Sequence, residues 1–250
     1  MTDPIPVPIL AVNAVSRSLA GREIVRDLSL SLRRGEVLGL LGINGAGKST
    51  TLRMIAGVLA PDRGQVLIDG ADLYETPELA RRGIGYLPEQ APLHRELTVE
   101  EFLRFCARLR GLKGAAVGAA LDQAIARCDL AEVRRRLIGQ LSKGFQQRVG
   151  IAQALIHRPP LVILDEPASG LDPVQSVRMR ELVASLRPDH AVILSTHLLA
   201  EAQVCCDRIA ILHRGQLRHQ AATSAERTEQ LEQQFLRIAT DLEPVAGVGV

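Results

Sequence analysis

Three short stretches of this chain are apolar at almost every position: Val37–Leu41, Leu161–Leu164 and Ala191–Leu194. Unbroken apolar runs of this length suit strands covered on both faces, as in a parallel sheet. Each is followed by small or polar residues, where a site could form. Helical spacing fills the gaps between the runs, beginning with Leu52, Ile55, Ala56 and Leu59 just after the first. Three other segments, Ile9–Leu19, Ile24–Leu32 and Gln65–Asp69, alternate instead. They predict a smaller antiparallel β-layer beside the core. The stretch from about Thr98 to Gly139 lacks proline and places Phe102, Phe105 and Leu109, then Leu121, Ile125 and Cys128, at helical spacing. It reads as a helical insertion between the first and second core strands, about residues 91–150 with its flanks. Past residue 222 a short tail begins. Thr223–Glu226 resembles a capping box, and Leu231, Phe235, Ile238 and Leu242 form one apolar stripe that should pack back on the core. The closing Gly-Val-Gly-Val is expected to fray. The class implied is α/β with a mostly parallel sheet.

Composition narrows this picture only a little. With 250 residues, 46% hydrophobic and 23% charged, the chain has the make-up of an ordinary globular protein. A net charge of +2 decides nothing about nucleic acid, and no nucleic-acid partner is expected. Arg134–Arg136 is the densest basic run and reads as a solvated helix face. The four cysteines show no C-x-x-C spacing, which suits a reduced chain without a zinc site. The first residues lack the pattern of a signal peptide. No 18-residue apolar run appears, so membrane spans, if needed, must come from a partner.

Chemistry enters with Gly42–Thr50, GINGAGKST, directly after the first core strand and before a helical pattern. A strand, a glycine-rich loop and a helix N-terminus make a phosphate cradle of backbone N–H groups aided by the helix dipole. Glycines at 42, 45 and 47 would each weaken regular structure unless the backbone needs them. Lys48 is one of only three lysines in the chain, so its place in the motif is informative. Gly42, Asn44, Gly45, Ala46, Gly47, Lys48, Ser49 and Thr50 are expected to hold the phosphates of a nucleoside triphosphate. Lys48 would reach the β- and γ-phosphates, and the Ser49 hydroxyl would bind Mg²⁺. The second core strand ends in Asp165-Glu166. In a P-loop ATPase, Asp165 there would hold Mg²⁺ through its waters and Glu166 would accept the proton of the attacking water.

A second anion site lies upstream, at Leu141-Ser142-Lys143-Gly144-Phe145-Gln146-Gln147-Arg148, where a serine and a glycine open a helix. The chain already has one phosphate cradle, so this one is best assigned to another molecule's nucleotide. Here the sequence resembles the nucleotide-binding subunits of ABC transporters over about residues 9–220. Leu141–Phe145 is similar to the family's signature, Ser169-Gly170-Leu171-Asp172 to its D-loop, and His197 to its switch histidine. The motifs follow in family order. The resemblance implies a RecA-like P-loop NTPase core and a head-to-tail dimer that sandwiches two ATP molecules. Ser142, Gly144 and Asp172 of one subunit would then face the nucleotide held by the other, and His197 would hold Glu166 and the water in line. Tyr86–Gln90, Lys143-Gly144 and Glu166–Pro173 resemble the ABC-2 type exporters more narrowly.

Three positions depart from the family pattern. Alignment on the resemblance puts Leu19 where an aromatic residue usually stacks on adenine. Glu89 occupies the Q-loop position and Gln90 follows it; either could meet Mg²⁺ or the water. Lys143 and Phe145 replace the usual glycine and glutamine of the signature. The implied protein is an ATP-hydrolysing subunit, 1–222 with a tail at 223–250. It would work as a dimer with a second ATPase subunit, seated by polytopic permease subunits on the cytoplasmic face of the plasma membrane. A soluble ABC-type ATPase uncoupled from transport is the alternative.

Overall fold

The computed structural model describes residues 7–224 and 228–240. β1 (Leu10–Leu19) and β2 (Arg22–Leu32) form an antiparallel hairpin, and β3 (Val37–Leu41) leads into α1 (Lys48–Ile55). β4 (Arg63–Ile68) pairs antiparallel with β1 and with β5 (Ala71–Asp72), and α2 (Pro77–Arg82) precedes β6 (Ile84–Leu87). Three helices follow, α3 (Val99–Leu109), α4 (Ala115–Arg127) and α5 (Lys143–Leu155). The chain then alternates through β7 (Leu161–Asp165), α6 (Pro173–Ser185), β8 (Ala191–Thr196) and α7 (Leu199–Cys205). It closes with β9 (Arg208–His213), β10 (Gln216–Ala222) and α8 (Thr228–Ala239).

Two sheets result. β2-β1-β4-β5 is the small antiparallel layer, and β10-β9-β3-β8-β7-β6 is the main sheet, parallel except for β10. The main sheet separates two cores. Val37, Leu41, Val162, Leu164, Val192 and Leu194 face the helical side with α3, α4 and α5. Leu38, Leu40, Leu161, Ile163, Ala191 and Ile193 face α1 and the antiparallel layer. Both faces are buried, which is why the three strands read as unbroken apolar runs rather than alternations. Each large aliphatic side chain so buried contributes ~1.5–3 kcal/mol.

The helical insertion lies between β6 and β7. It is made of α3, α4 and α5 with two short 3₁₀ turns between α4 and α5. α3 is started by a capping box in which Thr98 and Glu101 satisfy each other's backbone N–H. Phe102 on α3 is buried, whereas Phe105 and Leu109 are largely exposed. The short β6 and the pair β9–β10 extend the sheet beyond the three strands that the apolar runs predicted. In α8, Leu231 is buried and Phe235 and Ile238 pack partly against the core. Ala225, Glu226, Leu242 and the final Gly-Val-Gly-Val fall outside the described residues. All four cysteines are free thiols. Among the described residues no helix is long and apolar enough to cross a membrane.

Candidate functional site

β3, β8 and β7 are neighbours in the sheet, with Leu41 opposite Thr196 and Ser195 opposite Asp165. The loop after β3, the carboxylates after β7 and the histidine after β8 therefore emerge side by side at the carboxyl ends of the strands. In open α/β sheets that is where ligands bind.

A cavity of about 460 Å³ opens there. It is lined by Asn44, Gly45, Ala46, Gly47, Lys48, Ser49 and Thr50 from the loop and α1, together with Ile24, Glu89, Glu166, Ser169 and His197. The loop's path depends on two close approaches. Gly47, the N-cap of α1, has φ +104°, and a Cβ there would lie 2.9 Å from the Ile24 carbonyl oxygen. A Cβ on Gly42 would lie 2.6 Å from the Leu212 carbonyl oxygen. The backbone thus curls tightly against β2 and β9 and stays open towards the cavity. α1 has no acidic residue in its first turn, so its positive end is left for an anion.

Lys48 is 6% exposed, and its Nζ donates to the Gly42 carbonyl at 2.8 Å and lies 3.2 Å from Glu166 Oε1. The other Glu166 oxygen meets His197 Nδ1 at 2.8 Å. With Nδ1–H turned to the carboxylate, the acceptor nitrogen of a neutral ring is Nε2. Glu166 is a non-glycine residue at φ +49°, a conformation that costs about 1–3 kcal/mol and tends to occur at functional sites. Asp165, almost fully buried, accepts from Ser49 Oγ at 3.1 Å and from Ser195 Oγ at 2.6 Å through the same Oδ1.

Among the described residues no group of three or more His, Cys, Asp or Glu side chains could hold a metal by itself. A serine hydroxyl beside one buried carboxylate, open to a phosphate cradle, suits Mg²⁺, which keeps waters and takes phosphate oxygens as ligands. A fit to ATP rests on the positive helix end, the buried lysine and the open loop backbone.

Several sequence expectations are placed elsewhere. Leu19 ends β1 at the hairpin turn, exposed and outside the cavity lining; Ile24, on the next strand and packed over the loop, lines it instead. The two lie on opposite sides of the Ala20–Gly21 turn, a distinction that spacing alone does not make. Glu89 lines the cavity and Gln90 does not. Ser142, Gly144 and Asp172 lie outside the lining of this chain's own cavity. Ser142 is exposed and caps α5, accepting from the Phe145 N–H at 3.4 Å. Asp172 caps α6 through the Gln175 N–H at 2.9 Å. The turn that opens α5 also packs closely on the segment after β7 and on α6, for a Cβ on Gly170 would lie 2.2 Å from Lys143 Nζ, and one on Gly144 would lie 2.6 Å from Gln175 Oε1.

This fold and site define a P-loop nucleotide triphosphatase. Residues 25–169, more than half of the chain, match the family model described as ABC transporter. The ABC transporter ATP-binding protein NatA of Bacillus subtilis (strain 168) is 38% identical over 218 residues, which is 85% of this chain and 89% of that protein. A solved ATP-binding subunit of an ABC transporter is 34% identical with a TM-score of 0.78, covering 93% of this chain and 96% of that one. The dimeric ATP-binding cassette MJ0796, bound to ADP and Pi after hydrolysis, is 25% identical with a TM-score of 0.76, covering 86% of this chain and 98% of its own. The chain belongs to the ABC transporter family, as one of its ATP-binding, ATP-hydrolysing subunits.

Proposed function

We propose that this chain is the ATPase of an ABC-2 type exporter. Two copies would close head to tail over two ATP molecules on the cytoplasmic face of the membrane. The observation that carries the hydrolytic part is the Glu166 carboxylate, held between Lys48 and His197 on the cavity wall. In this reading residues 1–222 form the ATPase unit, with the helical subdomain at about 91–150, and 223–250 is a tail.

Lys48 binds the β- and γ-phosphates with the loop from Gly42 to Thr50. Mg²⁺ would be held by Ser49 and Asp165, with Glu89 near it, and would offset phosphate charge. Glu166 accepts the proton of the attacking water, and His197 fixes the orientation of that carboxylate. Ser142 and Gly144 serve the nucleotide of the second subunit. In support, α5 has no acidic residue in its first turn, and the Ser142 that caps it lies outside its own cavity. ATP binding would favour the closed pair, and hydrolysis would release it.

A membrane partner would also find a surface to fit. A second cavity, about 590 Å³, is lined by Arg81, Arg82, Arg110, Leu109, Leu112 and His157, with Glu78 its only acid. Leu79, Phe105 and Leu109 are exposed on α2 and α3. Exposed apolar groups rimmed by arginine fit an acidic, amphipathic loop of a permease subunit. The exporter assignment rests on the resemblance of Tyr86–Gln90, Lys143-Gly144 and Glu166–Pro173 to that branch.

The pairing is tested by light scattering on the Glu166→Gln chain. A dimer is expected with ATP and Mg²⁺ and a monomer without nucleotide. A monomer at saturating ATP would overturn the head-to-tail arrangement.

A further inference from the structure

Ser195 is fully buried on β8, opposite Asp165 of β7. Its Oγ accepts from the Glu166 backbone N–H at 2.8 Å and donates to Asp165 Oδ1 at 2.6 Å. An ionised carboxylate can only accept, so the hydroxyl proton must point to Asp165 and a lone pair must face Glu166. Both capacities of one hydroxyl are therefore spent on two adjacent site residues. Its neighbour Thr196 has a different task. The Thr196 Oγ1 donates to Glu201 at 3.0 Å and accepts from the Leu198 N–H at 3.1 Å, holding the turn that carries His197.

The Glu166 turn needs such a hold. At φ +49° the residue leaves the line of β7, and this bend carries its carboxylate to Lys48 and His197. Downstream the turn is tied by the Ser169 N–H donating to the Glu166 carbonyl at 3.0 Å. Upstream the tie is Ser195. Through Asp165 Oδ1 the same chain of hydrogen bonds reaches Ser49 Oγ. It runs Ser49, Asp165, Ser195, Glu166 backbone, and so ties the Asp165 carboxylate to the turn that carries the Glu166 carboxylate.

We propose that Ser195 is a positioning residue for ATP hydrolysis. Its hydroxyl fixes the Glu166 turn and the Asp165 rotamer together, and so sets the spacing between the carboxylate that holds metal and the one that takes the proton. No bond to Ser195 forms or breaks. The inference rests on the roles given above to Asp165 and Glu166.

The test uses the full chain with Ser195→Ala and Ser195→Thr. Turnover, nucleotide affinity from a fluorescent non-hydrolysable ATP analogue, and Mn²⁺ affinity of the analogue-bound chain by electron paramagnetic resonance are measured, with thermal unfolding as a check on folding. Ser195→Ala should lower turnover about 10- to 100-fold, the scale of hydrogen bonds to charged groups. It should weaken Mn²⁺ about 10-fold, as loss of a group that orients a metal ligand does, and leave the affinity for the metal-free analogue unmoved. Ser195→Thr, which keeps the hydroxyl, should restore most of both losses. A purely structural serine would change the melting temperature alone. Wild-type turnover and Mn²⁺ affinity in folded Ser195→Ala would overturn the proposal, as would Ser195→Thr folding well yet failing like alanine. Glu166→Gln run alongside separates the two readings. If it is inactive while Ser195→Ala is not, only the role of Ser195 falls; if Glu166→Gln is fully active, the assignment of the base falls.

Discussion

Glu166→Gln is expected to cut ATP turnover by roughly 10²–10⁴, the usual contribution of a general base, while ATP binding survives. The substitution keeps the shape of the side chain and removes its ability to take a proton. The backbone turn should persist, because its two ties, Ser195 Oγ to the Glu166 N–H and the Ser169 N–H to the Glu166 carbonyl, do not involve the carboxylate. The amide oxygen can still accept from Lys48, and the amide NH2 can donate to His197 Nδ1 in the tautomer that leaves that nitrogen as acceptor, so the cavity should keep its form. Steady-state phosphate release, measured beside equilibrium binding of a fluorescent ATP analogue, separates the two effects. Near-normal turnover would mean that another group takes the proton.

Lys48→Ala should fail at the opposite step. Its ammonium group is buried at the loop, donates to the Gly42 carbonyl and faces Glu166. Loss of a charged hydrogen-bond donor to the phosphates should weaken ATP binding by about 10- to 100-fold, read by titration calorimetry. The variant also leaves Glu166 without its lysine partner, in a site where an unpaired charge is costly. Residual turnover should therefore be low even when ATP is raised to saturation. Unchanged affinity would remove Lys48 from the phosphate site. Side by side, the two variants divide the site into a part that binds and a part that reacts.

Much of this arrangement could be read from the chain, and the exceptions have physical causes. Val37–Leu41, Leu161–Leu164 and Ala191–Leu194 were legible as strands because both faces of the main sheet are covered. β6 was not, since Ile84-Gly85-Tyr86-Leu87 is short and broken by a glycine. β10 was not, because it is polar and half-exposed at the sheet edge. β9 carries the same mark as the core strands, for Ile209-Ala210-Ile211-Leu212 is as apolar as they are. The motif at Gly42–Thr50 predicted its own local shape, because glycine spacing and a following helix leave few alternatives. Contacts across the sheet carry no such local mark. That Ile24 rather than Leu19 lies on the cavity depends on which arm of a hairpin crosses the loop. The left-handed turn at Glu166, the two bonds of Ser195 and the lean of Lys143 on Gly170 all depend on strands that are neighbours in space and distant in sequence.

The most direct measurement is affinity purification of the tagged Glu166→Gln chain from detergent-solubilised membranes of its source cell, with ATP and Mg²⁺ present to hold the closed pair. A polytopic membrane protein should co-purify in fixed proportion to the chain, and should be lost when Lys48→Ala is used as the bait. Recovery from the soluble fraction alone, with soluble partners and no membrane protein, would contradict coupling to transport and place the chain among soluble ABC-type ATPases.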